Sequence, residues 1–396
     1  MKKIVGKYNT ATIMTDNIEE TAVQQIKELT NQEFTKGEQI SIMPDVHAGK
    51  GSTVGTTMTL KSHKVVPNLV GVDIGCGMRV VKLSNNDQVD FKKLDQVVHQ
   101  FVPAGFNVHE SPVNNQNLSE LLTPLGESVQ SHIQNSVGTL GGGNHFIELD
   151  KDDIGSYYLV IHSGSRNLGV KVASWYQNQA IKNISHDTIN RQDVITTLKS
   201  QGRASEIEKT LMNMQSPTFN PTLAYVEGPL YEDYLNDMKI TQHYAYENRF
   251  TMAEIIIKHM GWNPVDSFDS IHNYIDINNE VLRKGATEAT KGNRLVIPMN
   301  MGFGSLICTG LGSQEWNQSA PHGAGRTMSR RKAFDNLNLD QFESQMNGIY
   351  STSVVQSTLD EAPLAYKPAQ EIINNIQDKT VHIDKIIKPV YSFKAI

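Results

Sequence analysis

Apolar residues in the first quarter of the chain come in short runs closed by glycine, proline or an acid, which predicts extended segments punctuated by turns. Gln39 to Met43 runs into Pro44-Asp45, Val65 to Val72 ends at Asp73, and Met78 to Leu83 follows a glycine-rich turn. From Gln96 the pattern weakens, Pro112 to Asn117 reads as an exposed loop, and Ser119 to Ile133 has helical spacing. Tyr157 to Ile161 is a compact buried-strand run that stops at His162. Between about 170 and 260 the period changes. Leu235, Met238, Ala245, Ile255, Ile256 and Met260 recur at helical intervals among Lys, Gln, Glu and Asn, which predicts a helical excursion inserted into a β-rich body. Strand character returns at Ser267 to Ile275, Arg294 to Ile297 and Gly304 to Thr309. Helices are predicted from about Arg326 and over Ala369 to Ile376, and a last strand ends in Lys394. With no internal repeat in view, the pattern predicts an α+β fold. It is a single large body of mixed β-sheets with surrounding helices and a helical insertion, one domain over residues 1–396.

Composition changes this picture in three places. A hydrophobic fraction of 38% and a charged fraction of 20% supply a core and exclude a disordered chain. The formal net charge of -6 argues against a protein that coats nucleic acid through bulk charge, because nonspecific phosphate binding is mostly electrostatic. A nucleic-acid enzyme with local positive charge or bound metal stays open. Two cysteines, Cys76 and Cys308, cannot provide a disulfide framework. No apolar run approaches 18 residues and no apolar signal core follows Lys2 and Lys3, so a cytoplasmic protein without membrane contact is expected.

Candidate chemistry gathers at the ends of the apolar runs. Asp73 and Cys76 lie in VGVDIGCGM, His145 in LGGGNHFIEL, His162 in LVIHSGSR and His272 in SIHNYID. Strand ends let a sheet converge several side chains on one point. An Asp-x-x-Cys turn can face both groups toward one cation, the thiolate can bridge two metals, and three imidazoles can complete the coordination. Any one of the 13 histidines taken alone reads as structural; the joint placement of these points to a site. By donor softness alone, one thiolate and several imidazoles favour zinc.

A further histidine, His322, precedes Gly323, Ala324 and Gly325, whose small side chains leave the ring and the adjacent amides open to a ligand. Arg326, Arg330, Arg331 and Lys332 follow with no acid among them, which reads as a phosphate site containing a nucleophile. Neutral imidazole attacks phosphorus well when a metal neutralises the phosphoryl oxygens, so His322 is a candidate covalent relay. His47 to Thr53 lacks the Walker order, and no G-x-G-x-x-G follows a strand, so neither common nucleotide-binding loop is present.

The segments PDVHAGKG, GVDIGCGMR, GGGNHFIE, HSGSRNLG, YLNDMKITQHYAYENR, SIHNY, SAPHGAGRTMSR, DEAPLAYK and KPVYSFK, in this order from Asp45 to Lys394, resemble the RtcB family of RNA ligases. The resemblance covers nearly the whole chain. It implies a GTP-dependent ligase that joins RNA ending in a 2′,3′-cyclic phosphate or 3′-phosphate to RNA with a 5′-hydroxyl, in transfer-RNA splicing or RNA repair. It also implies two Mn2+ ions, one on Asp73, Cys76 and His145 and the other on Cys76, His162 and His272, against the softness argument for zinc. His322 would take the guanylyl group from GTP. Asn144, Phe146, Glu148, Asn273, Pro298, Asn300, Met301, Ser305, Gly323, Ala324, Gly325 and Lys394 would surround the nucleotide. Arg166, Arg326 and Arg330 would contact RNA phosphates, and an accessory activating protein is a candidate partner. In one departure, Pro298-Met299-Asn300-Met301 stands where many members have P-G-S-M, so Asn300 replaces a serine. Two other readings remain: a metal-dependent phosphodiesterase acting on cyclic RNA ends without ligation, and a non-catalytic protein that binds RNA ends or GTP.

Overall fold

The computed structural model describes residues 2–187, 191–207, 209–210 and 220–395. In chain order the strands are β1 (Lys2–Val5), β2 (Thr10–Ile13), β3 (Ile40–His47), β4 (Val54–Thr59), β5 (Gly77–Leu83), β6 (Phe146–Lys151) and β7 (Tyr157–Ser163). They continue with β8 (Pro264–Ile271), β9 (Asn273–Asp276), β10 (Val281–Lys284), β11 (Ala286–Glu288), β12 (Arg294–Asn300), β13 (Gly304–Gly310), β14 (Ser319–Pro321) and β15 (Val381–Phe393). One sheet has the order β1-β2-β3-β4-β10-β9, a second β12-β13-β15-β6-β7-β5-β8, and β11 pairs with β14. Among the described strands only β2 and β3 pair in parallel. The fold is α+β, as the pattern of short apolar runs and helical stretches implied.

The seven-stranded sheet shows why its strands form. Its side chains alternate with period two, so each strand has two apolar faces to bury. Met78, Val80, Phe146, Tyr158, Val160, Val296, Ile307 and Ile387 make one cluster from six strands. The alternate residues Val81, Leu83, Ile147, Leu149, Leu159 and Ile161 pack instead with Leu94, Val98, Met252 and Ile256 of two helices. The outermost strands β12 and β8 are tied by Arg294, which pairs with Asp266 at 2.5 Å and donates to the Ser267 carbonyl at 3.2 Å.

Several local expectations change. Val65 to Val72 contains a helical turn, Pro67–Val70, because proline cannot donate to a ladder but fits the first turn of a helix. The helix expected over Ser119 to Ile133 starts only at Glu127 and runs on to Asn135. The run Ser267 to Ile275 breaks at His272, where the chain leaves one sheet at the end of β8 and enters the other as β9. The helix expected from Arg326 starts at Arg330, after Ser329 caps it by accepting from the Lys332 amide. Helices Glu20–Thr30 and Phe91–Phe101 were not legible. The second is capped by the Asp90 side chain and buries Leu94, Val97 and Val98.

The helical excursion consists of Arg166–Asp187, Arg191–Ser200 and Pro229–Met260; residues 188–190, 208 and 211–219 of that interval lie outside the described ones. Its longest member begins with Pro229 at the first helical position and stops at Gly261, whose left-handed φ of 73° ends it. This helix is central, since it packs into both large apolar clusters through Tyr234 and Met238 at one end and Met252 and Ile256 at the other. Among the described residues no helix is long and apolar enough to cross a membrane.

Candidate active site

Sheet order brings the candidate ligands together. Because β6, β7, β5 and β8 are consecutive antiparallel neighbours, the starts of β6 and β5 and the ends of β7 and β8 share one edge. Phe146 stands opposite His162, and Gly77 lies between Ser163 and Ile271. His145, His162, Cys76 and His272 are therefore side by side, and Asp73 joins them through the turn in which the Cys76 amide donates to the Asp73 carbonyl at 3.2 Å. Gly75 in that turn has a φ of +71°, and any Cβ there would press on Gln242 and Ala245 of the long helix. Glycine lets the ligand turn lie flat against it.

Two donor trios result, Cys76–His162–His272 and Asp73–Cys76–His145, each with its ligating atoms within 4.8 Å of one another. Cys76 belongs to both. Its Sγ lies 3.3 Å from His162 Nε2 and 3.5 Å from His145 Nε2, while His145 Nε2 is 2.9 Å from Asp73 Oδ2 and His162 Nε2 is 3.2 Å from His272 Nε2. Carbonyl oxygens only accept, so His145 Nδ1, 2.8 Å from the Leu140 carbonyl, and His162 Nδ1, 3.1 Å from that of Asn144, are the protonated nitrogens. Their Nε2 lone pairs are left for the cluster, an arrangement usual for metal-bound histidine. The donor set fits a pair of cations sharing a thiolate.

Electrostatics agree with that use. Burial pushes His162 and His272 well below the ordinary imidazole value, reinforced by the neighbouring histidines, so both rings are neutral. Burial would raise the Asp73 carboxyl, yet its contact with His145 lowers it to about 2, which requires positive charge between Asp73 Oδ2 and His145 Nε2, a proton on the ring or the cation that would replace it. Burial and the Asp73 charge push the Cys76 thiol well up, so a thiolate here needs an adjacent cation.

His322 follows β14 and its ring centroid is 4.9 Å from that of His272. Its Nδ1 is 2.6 Å from Asp45 Oδ2 and 2.9 Å from the Gly285 carbonyl, both acceptors, so the proton sits on Nδ1 and Nε2 keeps its lone pair. Asp45, fully buried at the end of β3, also accepts from the His322 amide at 3.2 Å. An imidazole whose tautomer is fixed by a buried carboxylate is the arrangement that a covalent relay would require.

Two cavities meet at this ring. The larger, about 660 Å³, is lined by Asn144, Phe146, Glu148, Pro298, Asn300, Met301, Gly323, Ala324, Gly325, Arg326, Arg330 and Lys394. The smaller, about 280 Å³, contains Asp73, Cys76, His272 and Asn273 together with Lys50 and Lys284, and His47, Asn144 and His322 border both. Of the nucleotide candidates, Asn273 thus lies on the other side of His322, where its side chain accepts from the Gly285 amide, and Ser305 is buried behind the larger cavity. Arg166 lies in neither lining, with its guanidinium on Thr139 Oγ1 and the Gly105 carbonyl. Arg326 is enclosed by Glu361, Tyr366 and two carbonyls, whereas Arg330, paired with Asp360 and Glu361, keeps 47% of its side chain exposed.

At the far end of the larger cavity, Glu361 receives Lys394 Nζ and Arg330 Nη1, each at 2.8 Å, and the Tyr366 hydroxyl at 2.6 Å. Burial would raise its carboxyl, but Lys394 and Arg330 hold it at about 2. Glu148, bonded by Ser392 at 2.9 Å, is lifted by burial to about 7 against Ser392 and Lys394. Sequence reasoning passed over Asp45, His47, Lys284, Glu361 and Tyr366. Four of them lie inside segments already quoted, PDVHAGKG and DEAPLAYK, but nothing in the spacing marked them as neighbours of His322 or Lys394.

Fold and site together define a protein with two overlapping donor trios of metal-ligand type on one sheet edge and an imidazole, oriented by a buried carboxylate, between two cavities. The chain matches the sequence model of the family tRNA-splicing ligase RtcB over residues 25–130 and 124–395. It is 29% identical over 399 residues to the RNA-splicing ligase RtcB of Escherichia coli strain K12, covering 90% of each chain. It is 30% identical over 399 residues, again covering 90% of each, to the RNA-splicing ligase RtcB1 of Escherichia coli strain ATCC 25922. The chain belongs to the RtcB family.

Proposed function

We propose that this protein is an RNA ligase that uses GTP to join RNA ends carrying a 2′,3′-cyclic phosphate or 3′-phosphate to ends carrying a 5′-hydroxyl, in transfer-RNA splicing or RNA repair. Membership of the family supports the ligase class. The observation that carries the finer reading is His322, with its Nε2 lone pair free between a nucleotide-sized cavity and a second one leading to the donor cluster.

His322 Nε2 attacks the α-phosphorus of GTP and pyrophosphate leaves, while Asp45 keeps the proton on Nδ1 and balances the positive charge that the ring acquires. The guanylyl group then passes from the ring to an oxygen of the RNA 3′-phosphate, for which Lys50 and Lys284 in the smaller cavity supply positive charge. Attack by the 5′-hydroxyl on that phosphorus releases GMP and closes the strand. Two Mn2+ ions on Asp73, Cys76 and His145 and on Cys76, His162 and His272 would neutralise charge on the phosphoryl oxygens. A carboxylate at Glu148 accepts from guanine N1-H and N2-H, which adenine lacks, and so selects GTP. Phe146, Pro298 and Met301 offer apolar contact, Asn144 and Asn300 polar contact, and the Gly323–Gly325 backbone faces the phosphates. Arg330, 47% exposed at the cavity mouth, makes the RNA-facing charge, while Arg166 and Arg326 are engaged by their own neighbours. The reading includes one catalytic domain over residues 1–396, a cytoplasmic setting and an accessory activating protein as partner.

Incubation with α-labelled GTP and Mn2+ tests it. The wild type is expected to yield an acid-labile protein adduct and ligated RNA, and His322→Ala neither. Hydrolysis of cyclic ends without label would replace the ligase by the phosphodiesterase reading.

A further inference from the structure

Beside the donor cluster, the segment after helix Phe91–Phe101 makes a tight turn with Phe106 at its tip, and this ring is 100% exposed. The turn is held firmly. The Leu140 amide donates to the Pro103 carbonyl at 2.9 Å, the Gly105 amide to Gly141 at 2.8 Å and the Asn107 amide to Ala104 at 3.2 Å. Arg166 closes it from beneath, donating to the Gly105 carbonyl at 2.8 Å and to Thr139 at 3.1 Å. The large exposed apolar side chain therefore sits on a braced support.

Its surroundings indicate the partner. A Cβ at Gly142 would come within 3.8 Å of Gly105, and one at Gly143 within 3.6 Å of Arg330 Nη2. The exposed turn Gly142-Gly143-Asn144 links Phe106 to Arg330 on one side and, through Asn144, to both cavities on the other. An aromatic face beside a guanidinium at the mouth of a phosphate-handling site suits an unpaired nucleotide, whose base stacks while its phosphate meets the arginine.

We propose that Phe106 is the stacking platform for an unpaired base of the RNA strand whose end enters the site, and that Arg166 is a positioning residue that holds this platform; this rests on the ligase reading above. Binding of a single-stranded 3′-phosphate oligoribonucleotide to the full chain tests it without requiring turnover. Phe106→Ala is expected to weaken binding about tenfold, with Phe106→Trp close to wild type and Phe106→Leu close to Ala. An abasic nucleotide walked through the last three positions of the strand, and then through a 5′-hydroxyl strand, identifies the stacked base. At that position it should weaken the wild type as much as Phe106→Ala does, with no further loss in the variant. Equal binding by wild type and Phe106→Ala, full rescue by leucine, or additive losses would each overturn the proposal, the first leaving the turn to a protein partner. If the wild type binds RNA but forms neither guanylate adduct nor ligated product, the ligase reading falls while the stacking result still stands on its own.

Discussion

An imidazole has two nitrogens, and which of them carries the proton decides whether His322 can act. Asp45 makes that choice, since a carboxylate 2.6 Å from Nδ1 accepts only from N-H. Asp45→Asn presents an amide that can donate to Nδ1 and so favours the opposite tautomer. Guanylylation is expected to slow by at least about a hundredfold while the fold persists, measured as the rate of adduct formation beside a thermal melt. At the other end of the cavity Glu361 titrates at about 2 instead of 4.5. A depressed carboxylate stabilises the folded state above its unfolded value, and the contribution disappears as pH falls through the folded value. Glu361→Gln is thus expected to lose of order 3 kcal/mol at pH 7, and the gap to wild type in denaturant titrations should shrink between about pH 4.5 and pH 2. A gap that widened toward acid would show that Lys394 and Arg330 do not hold Glu361 ionised.

At the scale of elements, the site is a property of strand ends and of the turns that close them. The turn after β7 passes so near Asp73 that a Cβ on Gly164 would lie 2.1 Å from its Oδ1. Gly164→Ala must push the carboxylate out of the cluster while leaving the strands in place. A loss of about ten- to a hundredfold in metal affinity is expected, read by calorimetric titration, with little change in circular dichroism. Alternation and glycine punctuation were enough to read β3, β5, β7, β12 and β13 and to place Cys76 just before β5 and His162 at the end of β7. They were not enough at Val65 to Val72, where an apolar run serves a helical turn, because a buried run carries no period of its own. Helix Phe91–Phe101 was passed over although Leu94, Val97 and Val98, with Phe91 and Phe101 packed against the same cluster, recur at helical spacing.

Across the whole molecule the long helix Pro229–Met260 organises the site from behind. Arg249, fully buried, donates from Nη1 to the Gly75 carbonyl at 2.7 Å and the Ser163 carbonyl at 2.9 Å, and its Nη2 pairs with Asp269 at 2.5 Å. Asn248 beside it accepts from the Gly138 and Thr139 amides and donates to the Gly164 carbonyl. One helical turn therefore fixes the three glycine-rich turns that carry Asp73, Cys76, His145 and His162. Arg249→Met would leave the partly buried Asp269 without its partner and two buried carbonyls without donors. It is expected to destabilise the protein by about 3–5 kcal/mol in denaturant titrations and to reduce metal retention in what still folds. Retention of both would mean that the turns hold themselves.

The chain alone determined the kinds of donor, the glycines that let them approach, their place at the ends of apolar runs and, by resemblance, the chemistry proposed for them. Those features are local, and local spacing carries them. Only the tertiary structure decided that Asp45 meets His322 across 277 residues, that Asn273 and Ser305 stand apart from the rest of the nucleotide candidates, and that Arg249 braces the ligand turns. Such contacts depend on sheet order and on the path of a helix through the core, and neither leaves a period in the sequence.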